Sequence, residues 1–257
     1  MLDILTAATL KAGREIMAVH AAGPHVTYKN DCSPVTEADQ RAEAVILAAL
    51  ALNFPNIPVI AEEAASAGIV PKAEDEFFLV DPLDGTKEFI AGKQDFTVNI
   101  ALVRNGTPVL GVVYAPALKV MWTGDGEVAR KVQVTDDFEP SDVRHVRCRA
   151  KPTIPIAVIS RSHCTPKTEA FVAEHGLIDS ISIGSSLKFC MLAEGAADVY
   201  PRFSRTMMWD TAAGDAVLRA AGGITLDIAG LPLRYEVNAS NEDALANPDF
   251  IAWGAAP

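Results

Sequence analysis

The chain has 257 residues, enough for one large domain or two compact halves sharing a cleft, and enough to bury a core without disulfides or a structural metal. Its 22 Lys and Arg against 33 Asp and Glu give a net charge of −11, which argues against a binder of nucleic-acid polymers, since that role needs a basic stripe to displace counterions. Small phosphorylated ligands stay open, because a local basic pocket or a bound divalent cation reverses the potential nearby.

Apolar spacing at Leu2, Leu5, Ala8, Ala12, Ile16 and Val19 predicts a helix over 2–20. A loop with Gly23-Pro24 and Asn30-Asp31 follows. Thr36 is a good N-cap and Asp39 the reciprocal half of a capping box, so a second helix is expected to about Leu52, ending before Pro55. Strands are expected at 58–61, 77–80, 96–103 and 109–114, the last two joined by the hairpin signal Asn105-Gly106, with 119–122 continuing the meander. The segment 124–152 is polar and reads as irregular, which divides the chain into halves 1–150 and 151–257. In the second half a strand is expected at 156–160, a helix at 165–175, a strand at 178–183, a helix at about 186–194 and a strand at 198–200. An alanine-rich helix after Trp209 closes at Gly222-Gly223, and 224–228 reads as a final strand. The expected class is layered α/β, antiparallel in the first half and mixed in the second.

Cys32, Cys148, Cys164 and Cys190 have neither C-x-x-C nor zinc-finger spacing and read as reduced thiols of a cytosolic protein. The start, Met1-Leu2-Asp3-Ile4-Leu5, has an early acid and no basic segment, which argues against a secretory leader. No apolar run approaches the roughly 20 residues that span a bilayer. A soluble, cytoplasmic protein with no transmembrane segment is expected; peripheral association with the inner membrane and a homodimer stay open.

Chemistry concentrates in Asp81-Pro82-Leu83-Asp84-Gly85-Thr86, directly after an apolar strand. On a continuing strand two acids three apart face opposite sides. Pro82 and Gly85 predict that the strand stops and turns, bringing both carboxylates to one side and freeing the Leu83 carbonyl to face a cation. Two carboxylates and a carbonyl suit the oxygen preference of Mg²⁺, although an ordinary acidic turn reads the same way. Glu62-Glu63 follows a short strand and is either a solvated loop or part of the same cluster. Asp210, in Trp209-Asp210-Thr211, opens a helix, where an acid caps the helix or binds metal beside an end that attracts phosphate.

These elements together resemble the inositol monophosphatase superfamily of Mg²⁺-dependent, lithium-sensitive phosphatases: Glu62-Glu63, Asp81-Pro82-Leu83-Asp84-Gly85-Thr86 and Trp209-Asp210-Thr211-Ala212-Ala213-Gly214, with Ala221-Gly222-Gly223 behind. Within it the chain is most similar to the CysQ-type 3'(2'),5'-bisphosphate nucleotidases, through Ser33-Pro34-Val35-Thr36, Asp84 to Phe89, Ile159 to His163, Gly184 to Cys190 and Tyr200-Pro201-Arg202-Phe203. The resemblance covers nearly the whole chain except 123–152. It implies the five-layered α-β-α-β-α sugar-phosphatase sandwich, with Glu62, Asp81, Asp84, Asp210 and the Leu83 carbonyl holding two or three Mg²⁺ ions. It implies that Thr86, paired with Asp39, helps to activate the attacking water, and that Glu63 assists behind the ligands.

No catalytic triad or P-loop is present, so direct in-line attack by metal-activated water is expected, without a covalent intermediate. Inositol-selective relatives carry a Glu near Arg202. Here a guanidinium suits a phosphate that is retained, and Lys188 adds a point charge. Gly184, Ser185 and the helix start beyond them can hold ribose or phosphate, His163 can meet the adenine, and Gly85, Thr86 and Asp210 face the same substrate. Adenosine 3',5'-bisphosphate, cleaved to AMP and phosphate in sulfur assimilation, is the leading substrate. An inositol or sugar (bis)phosphate phosphatase and a non-catalytic nucleotide sensor are the alternatives.

Overall fold

The computed structural model describes residues 1–29, 32–73, 75–160, 164–177, 179–237 and 242–255. Helices α1 (Leu2–Ala22) and α2 (Glu37–Asn53) flank a small hairpin of β1 (Val26–Tyr28) and β2 (Pro34–Thr36), which the loop expected there did not foresee. The predicted capping box is present: Ala38 N–H donates to Thr36 Oγ1 at 3.1 Å, and Thr36 N–H donates to Asp39 at 2.8 Å. Next come β3 (Val59–Ala61), α3 (Glu62–Ser66), β4 (Glu76–Asp84), α4 (Thr86–Ile90), β5 (Thr97–Arg104), β6 (Thr107–Ala115) and β7 (Val120–Gly124). Asn105 and Gly106, both at positive φ (47° and 69°), turn β5 into β6 as their sequence predicts.

The segment expected to be irregular instead forms β8 (Ala129–Val134) and β9 (Pro140–Val146), completing a seven-stranded sheet in sequential order. Every neighbouring pair in it is antiparallel except β3 and β4, so the first half is not wholly antiparallel. The second half holds β10 (Ile156–Ser160), α5 (Pro166–Glu174), β11 (Asp179–Ile183), α6 (Leu187–Ala193), β12 (Val199–Arg202), α7 (Met208–Ala220), β13 (Ile224–Asp227) and β14 (Phe250–Trp253). Strand β13 is therefore not the last; β14 inserts between it and β12 in the mixed order β11-β10-β12-β14-β13.

Alternating side chains build the layers. On β5, Val98, Ile100 and Leu102 pack with Leu5, Ile16, Ile46 and Leu50 of α1 and α2. Ala101 and Val103, on the opposite face, pack with Leu187, Phe189, Ala213 and Val217 of α6 and α7, which also meet Val158, Tyr200 and Phe250 of the second sheet. The far side of that sheet is covered by Phe171 of α5, against Ala157 and Val199. Five layers alternate as expected: helices, sheet, helices, sheet, helix. The central helix α7 lies very close to the first sheet. A Cβ on Gly111 would stand 2.3 Å from the Ala213 carbonyl oxygen, and one on Gly124 would stand 2.7 Å from that of Ala216. Among the described residues, no helix is long and apolar enough to cross a membrane.

Candidate active site

The two central acids share one face because of a β-bulge. Asp81 stands opposite Asn99 and Asp84 opposite Thr97, so three steps along β4 match two along β5. The extra residue restores the parity that three-residue spacing breaks. Leu83 turns to the α1–α2 side, packing with Phe78 and Val80, while Asp84 returns to the α6–α7 side. The strand expected to stop at Val80 thus runs on to Asp84, and it is the bulge that gathers the carboxylates. Gly85 follows at φ 96°, a left-handed conformation that opens α4.

Parallel pairing of Ala61 with Val80 leaves Glu62, the first residue of α3, beside Asp81 of β4. Asp81 is 1% exposed, and Leu83 N–H donates to its Oδ1 at 3.0 Å. Asp210, at the third position of α7, accepts the Met207 N–H at 2.8 Å. Burial pushes Asp81 well above the usual carboxylate range, and the charges of Glu62, Asp84 and Asp210 add to it. Burial likewise raises Asp210 to about 8, helped by Asp84 and Glu62. It raises Asp84 to about 6, against the opposing pull of Lys188. Four carboxyl groups from three separate stretches therefore meet in a single neighbourhood.

Thr86 Oγ1 lies 3.1 Å from Asp39 Oδ1 and 3.1 Å from the Leu83 carbonyl oxygen. Asp39, 2% exposed, is held on its other oxygen by the hydroxyl and N–H of Thr36, both at 2.8 Å. Glu62 and Glu63 are bridged by Lys29, whose ammonium is 2.8 Å from one and 2.7 Å from the other. Burial works against that ammonium, but the two glutamates outweigh it and its pKa is raised. Burial and the Glu62 charge lift Glu63 to about 7. Lys29 has no spacing signal in the sequence and went unforeseen. So did Glu43, which accepts the Glu63 and Ala64 N–H groups at 2.8 and 3.0 Å.

A cleft of about 480 Å³ is lined by Glu62, Asp84, Thr86 and Asp210 together with Ser185, Lys188, Tyr200 and Arg202. Lys188 is 5% exposed and donates to the Ser185 carbonyl; Arg202 is 6% exposed and donates to the carbonyls of Ser204 and Arg205 at 3.1 and 2.9 Å. Burial lowers Lys188 to about 8, with Asp84 opposing the shift. Among the described residues neither cation is in an ion pair. The Gly184 N–H is occupied by Asp95 at 2.8 Å, so Gly184 contributes its place on the wall and not that donor. His163 lies outside the described residues.

Buried carboxyl oxygens gathered in this way, with Asp81 and Asp210 held back from ionisation by burial and by their acidic neighbours, suit a hard divalent cation. Two buried oxygens across the ladder from the acids, Thr97 Oγ1 and Asn99 Oδ1, also lack a protein partner. Among the described residues no three His, Cys, Asp or Glu side chains already stand in coordinating geometry, and Glu62 is paired with Lys29. The model of the inositol monophosphatase family matches residues 1–252. The chain belongs to the inositol monophosphatase family. Members of this family are metal-dependent phosphatases. The chain is 43% identical to the 3'(2'),5'-bisphosphate nucleotidase CysQ of Salmonella typhimurium, over 97% of its own length and 98% of the relative's. It is 42% identical to that of Escherichia coli K12 over the same shares. Among solved structures it is similar to CysQ from Bacteroides thetaiotaomicron, with TM-score 0.80 and 39% identity over 100% of this chain and 97% of that one. It is also similar to an IMPase of Thermotoga maritima, with TM-score 0.77 and 25% identity over 98% and 91%.

Proposed function

We propose that the chain is a Mg²⁺-dependent 3'(2'),5'-bisphosphate nucleotidase that hydrolyses adenosine 3',5'-bisphosphate to AMP and phosphate, a cytoplasmic step serving sulfur assimilation. The observation that carries this reading is one cleft lined both by acids and by two buried cations, Lys188 and Arg202, that are in no ion pair among the described residues. The acids suit metal and the scissile phosphate; the cations suit a second phosphate that stays on the product. The names of the full-length relatives support the same substrate class.

Glu62, Asp81, Asp84, Asp210 and the Leu83 carbonyl would hold two or three Mg²⁺ ions. When bound, the ions acidify a water and offset charge on the phosphoryl and leaving oxygens. Asp39 Oδ1 accepts the Thr86 proton, which leaves the lone pairs of Thr86 Oγ1 to accept a hydrogen bond from the attacking water and aim it in line at phosphorus. Lys29 keeps Glu62 and Glu63 together, and Glu63 backs the ligand set from behind. Lys188 and Arg202 fix the distal phosphate, with Ser185 and Tyr200 beside them. The halves 1–150 and 151–257 divide this labour: the first brings most metal ligands, the second the nucleotide side and Asp210.

Phosphate release from adenosine 3',5'-bisphosphate and from inositol 1-phosphate, with Mg²⁺ and with added Li⁺, tests the reading. A preference of about tenfold or more for the nucleotide, suppressed by Li⁺, is expected. A comparable preference for inositol phosphate overturns it.

A further inference from the structure

Helix α2 carries two buried acids one turn apart on the same face, Asp39 and Glu43, 2% and 6% exposed. Asp39 meets Thr86. Glu43 has a different task. Its two carboxylate oxygens accept separate N–H groups in the first turn of α3, from Glu63 at 2.8 Å and Ala64 at 3.0 Å. Those donors have no partner within their own helix, and the residue before α3, Ala61, has no side chain that can cap it. Glu43 is therefore a cap supplied by another helix.

What it caps matters because α3 begins at Glu62. Register between β3 and β4 sets Glu62 beside Asp81, but a five-residue helix with a loose first turn cannot hold the direction of its leading side chain. We infer that Glu43 is a positioning residue for the metal cage: it fixes the first turn of α3 so that Glu62 stays beside Asp81 and Glu63 behind it, and it acts without touching metal or substrate. Helix α2 thereby orients two separate parts of the site, the Thr86 hydroxyl through Asp39 and the α3 carboxylates through Glu43. The inference rests on the proposed metal-dependent phosphatase reading.

The test is Mg²⁺ binding by titration calorimetry on the full chain without substrate, in wild type, Glu43→Gln, Glu43→Ala and Asp198→Asn, with melting temperatures recorded for all four. Gln keeps one acceptor, so the Mg²⁺ dissociation constant is expected to rise about tenfold in Glu43→Gln and toward a hundredfold in Glu43→Ala, the range seen when groups supporting a metal ligand are removed. Asp198→Asn lies away from the cleft and is expected to lower the melting temperature with unchanged Mg²⁺ affinity. If Glu43→Ala does not fold, Glu43→Gln decides. Mg²⁺ affinity in Glu43→Gln within about twofold of wild type, whatever its melting temperature, overturns the positioning role. A wild-type chain that binds no Mg²⁺ refutes the proposed function itself, which is a separate outcome.

Discussion

The hydroxyl of Thr86 stands 3.1 Å from Oδ1 of Asp39, joining residues 47 apart in the chain, and Asp39 is also the second half of an N-terminal capping box. One carboxylate thus fixes a helix start with one oxygen and a threonine with the other. Replacing Thr86 by Val keeps the volume and removes the hydroxyl. We expect kcat on adenosine 3',5'-bisphosphate to fall about 10²–10⁴-fold with KM little changed, as for loss of a positioned proton acceptor. Steady-state kinetics checks this, and a fall of less than about threefold would show that Thr86 does not handle the water.

Chelation should abolish phosphate release, and added Mg²⁺ should restore it. Asp210→Asn can still accept the Met207 N–H through its amide oxygen, so the fold should survive while metal affinity drops. The check is calorimetric Mg²⁺ binding beside a far-ultraviolet spectrum. Unimpaired turnover in either the chelated wild type or the variant would remove Asp210 from the ligand set.

The cationic wall predicts a selective loss. Lys188→Met keeps a long unbranched side chain in the buried site and deletes the charge, including its place over the Tyr200 ring. Charge-assisted bonds contribute about 1.5–3 kcal/mol, so kcat/KM for the bisphosphate should fall roughly 10–100-fold. A nucleoside monophosphate lacking the second group should be affected far less. Equal losses on both substrates would mean that Lys188 supports the scissile phosphate or the fold.

A pH effect is expected away from the cleft. Asp198 accepts Ile156 N–H at 2.7 Å and two bonds from Arg149 at 2.8 and 2.6 Å, anchoring the start of β10. Burial opposes its ionisation, but the Arg149 bonds win, and its pKa is lowered. A lowered acid stabilises the fold above the ordinary carboxyl pKa of about 3.9, and that contribution disappears as pH falls through the folded value. Asp198→Asn should therefore cost about 2 kcal/mol near neutrality and progressively less in acid. Urea unfolding at several pH values measures it; a cost independent of pH would contradict the ionic origin.

Gly111→Ala should destabilise by about 1–3 kcal/mol, because its Cβ has to displace the α7 backbone at Ala213. Since Asp210 lies one turn earlier on α7, Mg²⁺ affinity should weaken together with the melting temperature. Loss of stability without loss of affinity would show that α7 shifts without carrying Asp210 along.

Much of this was legible in the amino-acid order where local chemistry decides structure. Thr36 with Asp39 announced α2, Asn105-Gly106 announced a hairpin, and alternation announced β5. The strands β8 and β9 were not legible: Pro140–Val146 buries no residue, so it has no apolar alternation to read and is held by pairing with β8. Strand β14 follows a polar stretch and earns its place only as the filler between β12 and β13. The acids of the site were visible, but the means that gathers them was misread as a turn, because a bulge is defined by the partner strand. Lys29 and Glu43 were invisible, since contacts with Glu62, Glu63 and Ala64 depend on tertiary placement.

The oxygen of Leu83 gives the bulge a property that no side chain shares. It is a main-chain atom, it faces the Thr86 hydroxyl, and every substitution at position 83 leaves it in place. A saturation screen across 81–86 would register the acids and the threonine, and at 83 only the volume of a side chain that is 1% exposed. The part proposed for this oxygen would stay silent in such a screen, and only replacing the backbone amide by an ester or altering the spacing would expose it.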